Sequence, residues 1–295
     1  MKNKRPLRNF LTAFFLMLLT VSTLQPVSAQ GEELLTVSGW FNVVWGDARN
    51  GIPLPPIYTL TDDNGQKSTL LINEESAALP AGILYLDRQH VTIQGAQDLS
   101  ALTDDGTTVI QVEAITLDDA DVSALSEVEA LAVTGNQPFV SIMCKFADVS
   151  GEPKNLSYFQ GMYGSSYPGL DHYWREVSYD AINIQGSNAY GWYTLPQPRS
   201  YYVYSGIFNF DRATTDCIGK ANSDVNFSNF TGINLMFNEE LNGYAWGGSR
   251  YMTLDGITKS WPITWEPPWG YGNSGVISHE MGHAFGLPHS SGNYG

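Results

Sequence analysis

The sequence predicts an α+β protein in which a small β-rich region precedes a larger region of mixed strands and helices. Three observations carry that reading. Short apolar runs divided by Asn-Gly and Asp-Gly turn signals fill residues 30–117. From Pro138 onward, strand-like runs alternate with a helical one. Near the end, a capping residue, Asn273 or Ser274, announces a helix that carries two histidines four residues apart.

Residues 1–29 have the organisation of a signal peptide. Lys2, Lys4, Arg5 and Arg8 form a basic start, Phe10 to Val21 an apolar run, and Val27-Ser28-Ala29 a small-residue cleavage site before Gln30. That run is too short to span a bilayer comfortably, so the expected location is extracellular, with no membrane partner beyond secretion. The segment holds four of the 15 Lys and Arg and none of the 30 Asp and Glu, leaving 11 against 30, a net of −19. Such a chain repels nucleic acid and anionic membranes. It is compatible with Ca2+, yet the one candidate run, Asp224-Val225-Asn226-Phe227-Ser228, lacks the Gly and Glu that complete a calcium loop. An aromatic content of 13% argues against disorder.

The apolar runs of the first region are Leu35–Trp45, Ile57–Leu60, Thr69–Ile72, Ile83–Leu86, Val91–Ile93 and Val109–Ile115, read as short strands. With one histidine, His90, and no cysteine, this region has little from which to build a catalytic centre. Its position suggests an inhibitory prodomain or an independent binding module. Residues 118–137, acidic and rich in Ala, Val and Ser, read as a linker, with a short helix as the alternative.

In residues 138–295, Phe139 to Phe146 reads as a core strand that places Cys144 on one face with Val140, Ile142 and Phe146. Cys144 and Cys217 are the only cysteines, and in an oxidising compartment they could pair. Leu170 to Val177 reads as a helix, Tyr179 to Trp192 as strands about a turn at Gln185–Asn188, and Ile233 to Phe237 as a short strand. Tyr244 to Thr253 reads as a strand whose Gly247-Gly248 pair signals a bulge or a close backbone approach. Residues 261–269, rich in Trp and Pro, read as an aromatic loop or edge segment.

The chemistry lies in the run Ser278 to Ser290. His279 and His283 project from one face of a helix, one turn apart, so both imidazoles can reach one zinc ion. Glu280 lies about 100° round the helix, beside the metal, where a general base belongs. Gly286 can take the left-handed conformation that ends a helix, and Pro288 stops it resuming. The chain can then turn and present His289. Three nitrogen ligands leave a fourth position for water, the pattern of a catalytic zinc site. In a chain of this composition the whole pattern arises by chance below about once in 10⁵.

The run His279 to His289 matches in full the His-Glu-x-x-His-x-x-Gly-x-x-His signature of the metzincin peptidases. Ser290 after the third histidine resembles the matrixin and gametolysin-like variants. Tyr173–Tyr179 followed by Gly191–Pro196 is similar to the helix-then-strand start of secreted bacterial immune-inhibitor peptidases. The resemblance implies a catalytic subdomain built on a twisted, mostly parallel sheet with helices, acting on protein or peptide substrates. It also implies a strand above the active-site helix that pairs with an extended substrate. Tyr244, Ala245, Trp246, Gly247 and Gly248 lie in the candidate strand. Metzincins carry a Met-containing turn after the third histidine. Met281 lies inside the predicted helix and only six residues follow His289, so the family's C-terminal subdomain is expected to be missing from this sequence. A non-catalytic zinc-containing adhesion protein is the alternative function. Oligomeric state is not legible in these residues.

Overall fold

Alternating β-branched and aromatic residues form five strands in the first region: β1 (Leu35–Ala48), β2 (Ile57–Asp62), β3 (Lys67–Ile72), β4 (His90–Gln97) and β5 (Thr108–Leu117). The computed structural model describes residues 34–73, 83–98, 107–118 and 133–289. The expected signal peptide, most of the acidic linker and Ser290 lie outside the described residues.

These strands pair in the order β2-β3-β5-β4-β1, and β1 pairs again with β2, so the circuit closes into a barrel. All pairs are antiparallel except β3 with β5. Period-two alternation fills the barrel with Phe41, Val43, Leu60, Leu70, Val91, Ile93 and Ile110. The β2–β3 turn forms because Asp62 Oδ1 accepts from the Asn64 and Gln66 amides while Gly65 takes φ +81°. Ile83–Leu86, expected as a strand, is a 3₁₀ turn whose Ile83 and Leu86 are buried in the barrel core. A run of four apolar residues fixes no period, so packing decided it.

The remaining elements are β6 (Gly135–Asn136), β7 (Phe139–Lys145), α1 (Leu156–Gly161), α2 (Leu170–Val177), β8 (Ile182–Asn183), β9 (Asn188–Thr194), α3 (Arg199–Tyr202), β10 (Val203–Tyr204), β11 (Ile207–Phe208), α4 (Phe210–Ala221), β12 (Gly232–Phe237), β13 (Tyr244–Leu254), β14 (Ile257–Glu266), α5 (Pro268–Tyr271) and α6 (Ser274–Ala284). Strands β14, β12, β7 and β9 lie parallel in that order, with β13 antiparallel to β14. β1 then pairs antiparallel with β13 and joins this sheet to the barrel. One face of the sheet packs Val140, Ile142, Trp246, Ile263 and Trp265 against α4, where Cys144 and Cys217 form a disulfide with Cα atoms 5.8 Å apart. The other face packs Phe139, Met143 and Met236 against α2 and α6.

Two further expectations are corrected. The metzincin-like sheet with helices does not describe this chain: strand outweighs helix, 42% to 23%, and a closed five-stranded barrel is foreign to that helix-rich fold. The physical reason is β1. Its 14 residues are long enough to pair with β4 at Leu35–Trp40, with β2 at Gly39–Val44 and with β13 at Val44–Ala48. The second correction concerns residues 261–269. Most of them are not a loop or an edge but the end of β14, which lies between β13 and β12. Trp261, Ile263 and Trp265 alternate into the core, fully buried, and that apolar period outweighs one proline. Pro262 sits one residue before the β12 pairing starts at Ile263. Pro267-Pro268 then turn the chain into α5.

Candidate metal centre

α6 begins where the Asn273 side chain accepts from the Gly275 amide and ends where Gly286 takes φ +92°. It lies across β13 because that strand is small where they cross. A Cβ on Gly247 would stand 2.1 Å from the Glu280 carbonyl oxygen. The Gly247-Gly248 pair thus marks two close approaches rather than a bulge, since a Cβ on Gly248 would stand 2.2 Å from the Val43 carbonyl oxygen on the neighbouring β1.

This crossing sets the three histidines. His279 and His283 bring their Nε2 atoms 3.0 Å apart, and past the Gly286 bend His289 Nε2 comes within 3.1 Å of His283 Nε2. His283 Nδ1 donates to the Leu287 carbonyl at 2.6 Å, which leaves its Nε2 as an acceptor lone pair aimed at the other two rings. Burial, outweighing its hydrogen bonds, lowers the His283 pKa and favours this neutral form. Converging lone pairs repel unless a proton or a cation lies between them.

The fourth member was not legible in the sequence. Asp47, near the end of β1, places a carboxylate oxygen 3.1 Å from His279 Nε2, 3.3 Å from His283 Nε2 and 2.9 Å from His289 Nε2. Burial alone would raise the Asp47 carboxyl, but hydrogen bonds with His279, His283 and His289 hold it well below the usual carboxylate range. Asp47, His279, His283 and His289 together could hold a metal ion. Trp45, two residues earlier on the same face of β1, stacks on the His283 ring at 5.5 Å between centroids and meets His289 edge-on at 5.2 Å. In a chain with 30 acidic residues, nothing local distinguishes Asp47. Only the pairing of β1 with β13 brings it to the site.

Glu280 is fully buried, and neither carboxylate oxygen has a hydrogen-bond partner among the described residues. Burial, with Glu266 and Asp47 adding like charge, holds its pKa well above the usual range. A carboxylate kept in this way must be offset by a cation or carry a proton. Glu266 sits on β14 on the same side of the sheet, and burial pushes it up to about 8.

The expected substrate strand and the residues outside the centre are located as follows. Tyr244 to Gly248 lie in β13, with β1 along one edge and β14 along the other. His172 faces Glu176 one turn on, with the pair 3.5 Å apart. His90 bridges Asp63 and Asp118 on the barrel. Within the candidate calcium run, Asn226 caps a short 3₁₀ turn and Asp224 accepts from the Tyr193 hydroxyl. No described helix is long and apolar enough to cross a membrane. No family model and no curated protein matches the chain.

Proposed function

We propose that the protein is a secreted zinc-dependent endopeptidase whose zinc is held by His279, His283 and His289 and whose general base is Glu280. The observation that carries the proposal is the approach of His279 Nε2 and His289 Nε2 to within 3.0 and 3.1 Å of His283 Nε2, with the buried, unpartnered carboxylate of Glu280 next to His279 in the chain. Ligands about 2.0–2.1 Å from a tetrahedral zinc stand about 3.3 Å apart, close to these separations. Nitrogen donors with one oxygen donor suit zinc better than calcium or magnesium.

Zinc held by His279, His283 and His289 would supply Lewis-acid polarisation of a scissile carbonyl and would lower the pKa of a water bound to it. The chain's own residues do the rest. His283 is fixed in its metal-binding tautomer by the Leu287 carbonyl. Glu280 takes the proton of the attacking water and passes it to the leaving amine. The β13 edge that β1 covers would, once freed, align an extended peptide by main-chain pairing.

A second reading has one observation in its favour. Asp47 makes four protein donors, and four protein donors close a zinc site in the structural manner. A non-catalytic zinc-containing adhesion protein would need no more. It gives no role to the buried Glu280 carboxylate.

Casein zymography with and without a chelator separates the two readings, run on the native chain and on Asp47→Ala. In any background that cleaves, adding Glu280→Ala should keep the zinc and lower cleavage by at least about 10²-fold. Undiminished cleavage would refute the assigned base. Chelator-sensitive cleavage in either background excludes the adhesion reading.

A further inference from the structure

β13 has two hydrogen-bonding edges. β14 takes one, and the other carries β1, a strand of the barrel. β1 lies antiparallel there in the register Val44 opposite Gly248 through Ala48 opposite Tyr244. That is how an extended peptide adds to a sheet edge. The same five residues include Asp47, within 3.3 Å of all three imidazole nitrogens. Between Trp45 and Asp47, Gly46 faces the opposite side, where a Cβ would stand 2.3 Å from the Trp246 ring. A side chain at position 46 would force the strand or that ring to move. The barrel reaches α6 a second time through Arg88, whose guanidinium donates to the Ala284 carbonyl at the helix end.

We propose that the barrel is an internal inhibitor of the zinc site, with β1 lying in place of an extended substrate on β13 and Asp47 filling the metal position that the attacking water and the scissile carbonyl need. The proposal rests on the peptidase reading above. It explains a four-donor site beside an unused buried base: the site is closed by a segment from outside the α6 region, and withdrawal of β1 opens the metal and the peptide-binding edge together. Asp47 is the only one of the four donors that does not lie on α6 or just beyond it.

The test uses the full chain with cobalt(II) in place of zinc, and a small peptide hydroxamate as the probe of a free metal position. In the native chain the hydroxamate should leave the cobalt spectrum unchanged. In Asp47→Ala the spectrum should differ before any addition, and the hydroxamate should bind at least about tenfold more tightly, a difference of about 1.4 kcal/mol. Asp47→Asn keeps the shape of the side chain while removing its charge, and it guards against a variant that fails to fold. It should fall between the other two. Cobalt uptake with the same spectrum and hydroxamate affinity in all three chains overturns this inference and leaves the metal site standing. Free binding of hydroxamate to the native chain overturns it without recourse to any variant. No metal uptake by any of the chains overturns the peptidase reading and this inference together.

Discussion

Single residues decide whether the centre can form. The Nε2 atoms of His279 and His289 lie within 3.1 Å of His283 Nε2, an arrangement that could hold a metal ion, and the Leu287 carbonyl settles which nitrogen of His283 faces it. The histidine pair and its glycine bend were legible in the sequence because their spacing is local: one helical turn, then a left-handed residue. Asp47 was not, because its role depends on a partner strand about 200 residues away. His90 shows a different use of the same side chain. Its hydrogen bond to Asp63 raises its pKa, with burial opposing and Asp118 adding to the effect. A raised folded-state pKa means that this contribution is complete below the unfolded value of about 6.5 and is lost as pH rises through the folded value. His90→Gln should therefore lower stability at pH 5.5 by about 0.5 kcal/mol, the scale of an exposed ion pair, and by less at pH 8.5. Urea unfolding of both chains at the two pH values checks this, and an equal loss at both would contradict it.

At the scale of elements, the crossing of α6 over β13 is the joint on which the centre turns. It depends on an absent side chain. Gly247→Ala should push α6 away from the strand and cost about 1–3 kcal/mol, as overpacking does, and it should weaken metal binding at the same time. Thermal melts with and without zinc would read both effects. A variant with native melting and native zinc response would show that the joint is looser than described. Elements with a clear period were legible: the helix at Leu170–Val177 and the strands at Phe139–Lys145 and Gly232–Phe237 match their sequence patterns closely. Elements whose identity depends on neighbours were not. Ile83–Leu86 is too short to declare itself, and β14 contains a proline that argues for an edge while its alternating Trp and Ile residues demand a core on one side.

The whole molecule is organised by one shared strand. β1 is a stave of the barrel for most of its length and a member of the larger sheet at its end. The sequence shows two regions with different textures and does not show that a single strand belongs to both. Strand pairing across long sequence separation leaves no local mark, so the barrel, its closure and its reach into the metal centre were invisible before the fold was known. The donor set inherits this division. Asp47 comes from the barrel strand, and the three histidines come from α6 and the turn after it, so a bound ion ties the two ends of the described chain together. Saturating metal should then stabilise the whole fold, by about 4 kcal/mol at a thousandfold excess over the dissociation constant. The measurement that bears most directly on this account is the metal content of the full chain, purified in the presence of zinc and dialysed against metal-free buffer. We expect one zinc ion per chain, and its loss in His283→Ala. Substoichiometric zinc in the native chain, or undiminished zinc in that variant, would contradict the centre on which everything else is built.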